Sequence, residues 1–65
     1  MFIVELEEGV WLARWKGDPG RTLKKSSAKI FKHKLLAEYA LIKALSYRKF
    51  ENAKVIPISI VQQAR

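Results

Sequence analysis

Six cationic side chains and one histidine lie between Asp18 and Glu38, with no acidic residue among them. Lysine and arginine bind phosphate oxygens and attract polyanions, of which nucleic acid is the commonest in a cell. These residues supply much of a net charge of +7 on a chain of 65 residues. We expect all six cations, here called the basic run, to contact phosphates, although no base-reading residue can be named. The basic run consists of Arg21, Lys24, Lys25, Lys29, Lys32 and Lys34.

No arrangement of residues typical of an enzyme occurs in the sequence. Glu7 and Glu8 share a short turn and point in different directions, whereas an acid–base pair needs two carboxyl groups in different environments of one pocket. His33 has no serine or carboxylate placed to partner it, and Ser26 and Ser27 have no identifiable activating group. We therefore expect a non-enzymatic protein with no cofactor and no small-molecule substrate.

The composition narrows the class of protein further. The absence of cysteine excludes disulfides and thiolate metal sites, and a single histidine excludes the usual multi-histidine zinc sites. One domain of 65 residues is close to the lower size limit for folding alone, so we expect a homo-oligomer. A hydrophobic fraction of 49% is too high for a disordered chain. No signal peptide or membrane-spanning run is evident, which predicts a cytoplasmic protein.

Two segments of alternating apolar residues, joined by a short turn containing Gly9, predict a β-hairpin. In the second segment, residues 10–16, Trp11 and Trp15 share one face, while Arg14 and Lys16 share the other. Large aromatic side chains dominate small cores, so we expect both tryptophans to be buried beneath a helix. The alternative is a stacking platform for unpaired bases, which the placement of the two cations on the opposite face disfavours.

A second turn and an ambiguous segment follow the hairpin. In Gly17-Asp18-Pro19-Gly20, Pro19 suits position i+1 of a type II turn and Gly20 suits the positive φ of position i+2, while Asp18 could pair with Arg21. Residues 22–31 are ambiguous. They either belong to a third strand that ends at Phe31, or they contain the start of a helix at Ala28, with Ser27 as its N-cap. We favour the third strand, with a bulge or irregular segment.

The helix predicted over residues 34–49 is apolar on two sides. Ala37, Ala40 and Ala44 lie on one side, where small side chains allow close packing on a sheet. The nearly opposite side carries a second stripe, formed by Leu35, Tyr39 and Ile42. A domain this small has no further layer to cover that stripe, so we expect it to form a homodimer interface.

The alternating pattern of residues 54–61 predicts a last strand. We expect residues 62–65 to form a frayed tail of this single domain. Pro57 cannot donate a ladder hydrogen bond, so either the strand lies at a sheet edge or its proline faces solvent. The expected fold is therefore α+β, with the order β-β-β-α-β and one helix on one face of a small, mainly antiparallel sheet. The expected function is weak nucleic-acid binding by a basic accessory domain. The alternative is a homo-oligomeric interaction module whose charge only solubilises it.

Residues 9–22, 28–31 and 37–44 are similar to small bacterial and phage-borne domains of unknown function. The shared features are the hairpin, the Gly-Asp-Pro-Gly-Arg-Thr turn, the phenylalanine before the helix and the alanine-rich helix. The resemblance extends to about residue 56 and implies a third strand that ends at Phe31. It implies no particular activity.

Overall fold

The computed structural model describes residues 1–17 and 19–59. The strands are β1 (Phe2–Glu7), β2 (Val10–Leu12), β3 (Arg21–Thr22) and β4 (Lys54–Pro57), and the helices are a 3₁₀ turn (Lys25–Ser27) and α1 (Lys34–Tyr47). The four strands form one antiparallel sheet in the order β3-β2-β1-β4. Helix α1 packs against β1 and β4. The predicted α+β class and the order β-β-β-α-β are confirmed.

The core lies between α1 and one face of β1. Because side chains alternate along a strand, Val4 and Leu6 point to the helix, and neither has exposed surface. Ala37 is also fully buried, and its small side chain allows the helix to lie close to the sheet. The remaining buried members of this core come from the strand, loop and helix segments around it, namely Leu12, Phe31, Ala44 and Phe50.

Neither tryptophan belongs to this core, so the prediction that both lie beneath the helix is wrong. Trp11 pairs with Glu5 in the register of β1 and β2, and residues paired in this way point to the same face. Glu5 points away from α1, and Trp11 therefore does the same, while Leu12 fills the core. Trp15 lies beyond the end of β2 and is 51% exposed. Both faces of the predicted strand began with apolar residues, Val10 and Leu12 on one and Trp11 and Ala13 on the other, so alternation could not select the buried one.

The third strand is β3 rather than a strand that ends at Phe31. Residues 28–31 make two isolated bridges instead, between Ala28 and Ala13 and between Phe31 and Phe2. The amide of Lys29 donates to the carbonyl oxygen of Leu12 (2.9 Å), and Phe2 and Phe31 exchange hydrogen bonds of 2.8 and 2.7 Å. This segment therefore joins the end of β2 to the start of β1. The alternative of a helix from Ala28 is also wrong, since α1 begins at Lys34.

The second half of the chain agrees closely with the prediction. Helix α1 ends at Tyr47, two residues before the predicted end. Strand β4 lies at an edge of the sheet, as Pro57 predicted. Strand β4 ends at Pro57, so the predicted extension over residues 58 and 59 is wrong; residues 60 and 61 of the predicted strand and the predicted frayed tail lie outside the described residues. Among the helices of the described residues, none has the length and apolar character that a membrane crossing requires.

Candidate functional site

The loop that follows β2 is closed at its base by backbone contacts. The amide of Ala13 donates to the carbonyl oxygen of Gly20 (2.9 Å). The Arg21 guanidinium donates from Nη1 to the carbonyl oxygen of Pro19 (3.0 Å). The first bond brings the two ends of the loop side by side, and the second fixes the chain where the loop returns to β3.

Gly20 is required for close packing and not for an unusual φ. Among the described residues, only Gly9 has a positive φ (79°), so the predicted positive φ at Gly20 is wrong. A Cβ atom on Gly20 would overlap the carbonyl oxygen of Trp15, and one on Gly17 would lie 2.6 Å from the Cα of Gly20. The two glycines therefore allow the loop to fold tightly. The predicted pairing of Asp18 with Arg21 falls on a residue outside the described ranges.

This loop and α1 enclose a depression of about 540 Å³, here called the loop cleft. Helix α1 contributes Ala40, Lys43, Ala44 and Tyr47, which share one face because their spacing is i, i+3, i+4 and i+7. The other wall is formed by β2, the following loop and one later residue. These residues are Leu12, Ala13, Arg14, Trp15, Lys16, Gly17, Pro19, Gly20 and Lys29.

The loop cleft combines aromatic, cationic and apolar groups. Trp15 and Tyr47 are each 51% exposed. The cations come from separate parts of the chain: Arg14 and Lys16 from the loop, Lys29 from the segment before the helix, and Lys43 from α1. None of the described lining residues is acidic. Such a site can bind an anion that also presents a flat ring.

Lys29 is the member of the basic run that lies in the loop cleft. Its ammonium lies 5.3 Å from the centroid of the Phe31 ring, a cation–π distance. Phe31 is itself buried in the core, so this contact holds the cation against a fixed surface. The aromatic ring balances part of the positive charge without neutralising it, which leaves the ammonium available to an anion.

The other members of the basic run do not all lie on the same side as Lys29. Lys25 lines a separate depression with Ile3, Ser26 and Ile30, on the sheet face away from α1. Arg21 lines a third depression next to Glu7. Lys24, Lys32 and Lys34 are exposed, and none of them forms an ion pair with a carboxylate in residues 1–17 or 19–59. Three members of the basic run thus line three different depressions instead of sharing one.

Sequence reasoning missed most of the loop cleft. Arg14 and Lys16 were assigned to the opposite face from Trp15, because the strand was extended to residue 16. The structure ends β2 at Leu12 and bends the chain at residues 14 and 15, so the alternation no longer applies. The turn at residues 17–20 did not reveal this bend, because a strand can lead directly into a turn.

The predicted second stripe of α1 is exposed in the structure. Leu35, Tyr39 and Ile42 are 67%, 70% and 65% exposed, and we call them the outer face of α1. Buried Ala37 and Ala44 lie on the inner side. Ser46, which interrupts the stripe, donates from its hydroxyl to the carbonyl oxygen of Lys43 (2.6 Å). The outer face is therefore an exposed apolar stripe on a single helix, formed by three large side chains.

The sheet face away from α1 contains one unusual polar group. The indole Nε1 of Trp11 is buried and has no hydrogen-bond partner among the described residues. The nearest side chains in register are already engaged: Glu5 pairs with Lys54 (3.8 Å), and Thr22 accepts a bond from the Lys24 amide (3.0 Å). A buried, unpaired donor costs about 1–3 kcal/mol. Trp11 therefore stabilises the sheet less than its size suggests.

The described residues contain no group of three or more histidine, cysteine, aspartate or glutamate side chains that could hold a metal ion. Comparison of the chain with protein-family models, with curated proteins and with solved structures found no match. The resemblance to bacterial and phage-borne domains stays a prediction.

Proposed function

We propose that this protein is a small, non-enzymatic accessory domain that binds nucleic acid weakly through electrostatic contacts in the cytoplasm. The observation that supports the proposal is the exposure of the whole basic run, combined with the net charge of +7. Every phosphate that such a cation neutralises releases counterions, which favours binding without any sequence preference. A bacterial or phage origin is part of the same proposal.

The arrangement of the cations limits how duplex DNA could bind. Lys25 and Lys29 line different depressions, so the basic run does not form one continuous binding surface. We therefore expect only a few of the six cations to contact phosphates at the same time. Few phosphate contacts correspond to weak binding with a shallow salt dependence.

The test is a fluorescence anisotropy titration of labelled duplex DNA and single-stranded DNA at several salt concentrations. The logarithm of the binding constant should fall with the logarithm of salt concentration, by about 0.9 for each phosphate contacted on duplex DNA. Lys29→Gln and Lys25→Gln should each weaken binding to every sequence and lower that slope by at most about 0.9, because each removes one cation that can contact a phosphate. Absence of any binding at about 50 mM salt would eliminate the proposal.

The second candidate function is self-association through the outer face of α1. Its support is the exposure of Leu35, Tyr39 and Ile42 along one side of the helix. Helix α1 has 14 residues and is therefore about 21 Å long. A stripe of this length on one helix buries less than the roughly 800 Å² per partner of a standard interface, so we expect a weak dimer.

Salt separates the two candidates, because it affects them in opposite directions. Added salt weakens nucleic-acid binding by competing for the phosphates. The same salt screens the repulsion between two protomers that each carry a net charge of +7, so it strengthens a dimer held by apolar contacts. Sedimentation velocity at low and high salt, without nucleic acid, measures this difference. A dimer that dissociates as salt rises would contradict the apolar interface.

A further inference from the structure

We propose that the loop cleft binds one unpaired base of a single-stranded nucleic acid, stacked on Trp15, with the adjoining phosphates on the surrounding cations. This inference rests on the proposed function and specifies both the site and the form of nucleic acid. The cations are Arg14, Lys16, Lys29 and Lys43, of which only Lys29 belongs to the basic run. The other three come from parts of the chain that the run does not include.

The aromatic component of the site is the exposed ring of Trp15. Tryptophan offers the largest ring for stacking, and every base has a flat face that can stack on it. Nothing in the core requires Trp15, because Leu12 occupies the position beneath the helix. Tyr47 lines the same cleft from α1 and offers a second aromatic surface. Two half-exposed aromatic side chains in one cleft are the arrangement that an unpaired base can use.

The space for the base is provided by small side chains on α1. Ala40 and Ala44 line the loop cleft on the helix side, and larger residues at these positions would fill it. Its volume of about 540 Å³ lies within the range of roughly 300–1,000 Å³ found for small-ligand pockets. One ring system and part of its backbone therefore fit without opening the core.

The charge of the site favours an anionic strand over a neutral ligand. Four cations line the loop cleft, and no acidic residue does so among the described residues. A duplex would satisfy these cations but keeps its bases paired and stacked inside the helix, so it cannot offer one to Trp15. A single strand supplies phosphates and free bases together. This difference is why the cleft favours single strands, whereas charge alone would not.

The walls of the loop cleft are held in place before a ligand arrives. The Ala13 amide closes the loop on Gly20, the Arg21 guanidinium holds Pro19, and the Phe31 ring supports the Lys29 ammonium at 5.3 Å. A site that is already ordered loses less conformational entropy on binding. The preference for a stacked base should therefore be measurable in a protein whose overall affinity is weak.

The experiment compares three labelled probes by fluorescence anisotropy at low salt: an oligothymidylate of about 12 nucleotides, an abasic oligonucleotide of equal length, and a duplex of equal length. The abasic strand has the same phosphates but no rings. The wild type should bind the oligothymidylate about fivefold or more tightly than the abasic strand, since stacking contributes this much per base. Free thymidine monophosphate, added as a competitor, tests whether a lone nucleotide suffices.

Four variants test whether the preference for the oligothymidylate over the abasic strand arises in the loop cleft. Trp15→Ala should bind the oligothymidylate no better than the abasic strand, while Trp15→Phe keeps part of the difference. Ala40→Leu should also reduce the preference by filling the cleft, although it removes no charge. The matched control is Tyr39→Ala, which removes a more exposed aromatic side chain from the outer face of α1 and should leave the preference unchanged. Circular dichroism of every variant confirms that it is folded.

The outcomes separate this inference from the proposed function. If the wild type binds none of the probes, the stacking site and the proposed nucleic-acid binding are both refuted. If it binds the oligothymidylate and the abasic strand equally, electrostatic binding stands and the stacking site is refuted. Equal loss of preference in Trp15→Ala and Tyr39→Ala would refute the location of the site. Binding of polyglutamate as tightly as of the oligothymidylate would also refute it and indicate an acidic protein partner. Competition by thymidine monophosphate at concentrations similar to those of the strand would change the ligand to a free nucleotide.

Discussion

The two faces of α1 are both apolar, but they differ in side-chain size and in what covers them. The inner face carries Ala37 and Ala44, which are buried against the sheet. The outer face carries much larger side chains, yet Leu35 and Tyr39 are about two-thirds exposed. Within α1, the largest apolar side chains are therefore on the face that does not contribute to the core.

This difference shows that fit, and not the amount of apolar surface, selected the buried face. A helix can approach a sheet closely only where its side chains are small, and the close approach brings its backbone near the fully buried residues Val4 and Leu6. The strands contribute large side chains to the core, and the helix contributes a face of small alanine side chains that packs closely on them. Stability of one protomer should therefore depend strongly on the inner side and hardly at all on the outer face.

The largest expected effect is on Leu6, directly beneath the inner face. Leu6→Ala removes a fully buried side chain and leaves a cavity, which should lower the free energy of unfolding by about 2–5 kcal/mol. A domain of 65 residues has a total of roughly 3–10 kcal/mol, so this variant should be close to unfolded. The matched control is Leu35→Ala, the same change on the outer face, with an expected loss of under about 0.5 kcal/mol. Urea titrations followed by circular dichroism measure both.

An intermediate effect is expected when the inner face is made larger. Ala37→Leu adds apolar surface to a site with no free space, so it should destabilise the protein by about 1–3 kcal/mol, although leucine is more hydrophobic than alanine. Ala40→Leu provides the control because Ala40 is only partly buried and lines the loop cleft, where the added atoms have room. Thermal melts of the two variants would show equal losses if close approach of the helix were unimportant.

The smallest effect on the stability of one protomer is expected at Ile42. Ile42→Glu places a charge on an exposed position, so at low protein concentration it should change the free energy of unfolding by less than about 0.5 kcal/mol. Two-fold symmetry would place this charge opposite its copy in a dimer, so association should be lost. The unfolding midpoint of the wild type should rise with protein concentration, and that of Ile42→Glu should not.

Calorimetry over a wide concentration range checks this last prediction. A wild-type midpoint that is independent of concentration would contradict self-association. A concentration dependence that Ile42→Glu retains would place the interface on another surface. The sheet face away from α1, which carries Trp11 and Thr22, would then be the next region to test.

The features that were predicted correctly are set by interactions between residues that are close together in the sequence. The hairpin follows from two alternating segments around Gly9, whose φ of 79° favours glycine. Helix α1 follows from its composition, and the edge position of β4 follows from Pro57, which cannot donate a ladder hydrogen bond. Each of these features depends on residues that are close together in the chain.

The features that were predicted wrongly depend on contacts between distant residues. The length of β2 is limited by the loop that packs Gly20 against Trp15, and the place of Ala28 and Phe31 is set by bridges to Ala13 and Phe2. The loop cleft needs a loop, a connecting segment and a helix to meet. Nothing in the spacing of Arg14, Lys29 and Lys43 indicates that they line one site.

The sequence by itself determined the class of the fold, the order of its elements and a strongly basic surface, because composition and periodicity act locally. It also showed that α1 has two apolar sides. Only the tertiary structure decided which side faces the sheet, which residues of β2 are buried and where the cations lie. The physical reason is that side chains compete for one core, and the choice between Leu12 and Trp11 depends on strand register and close packing across the whole domain.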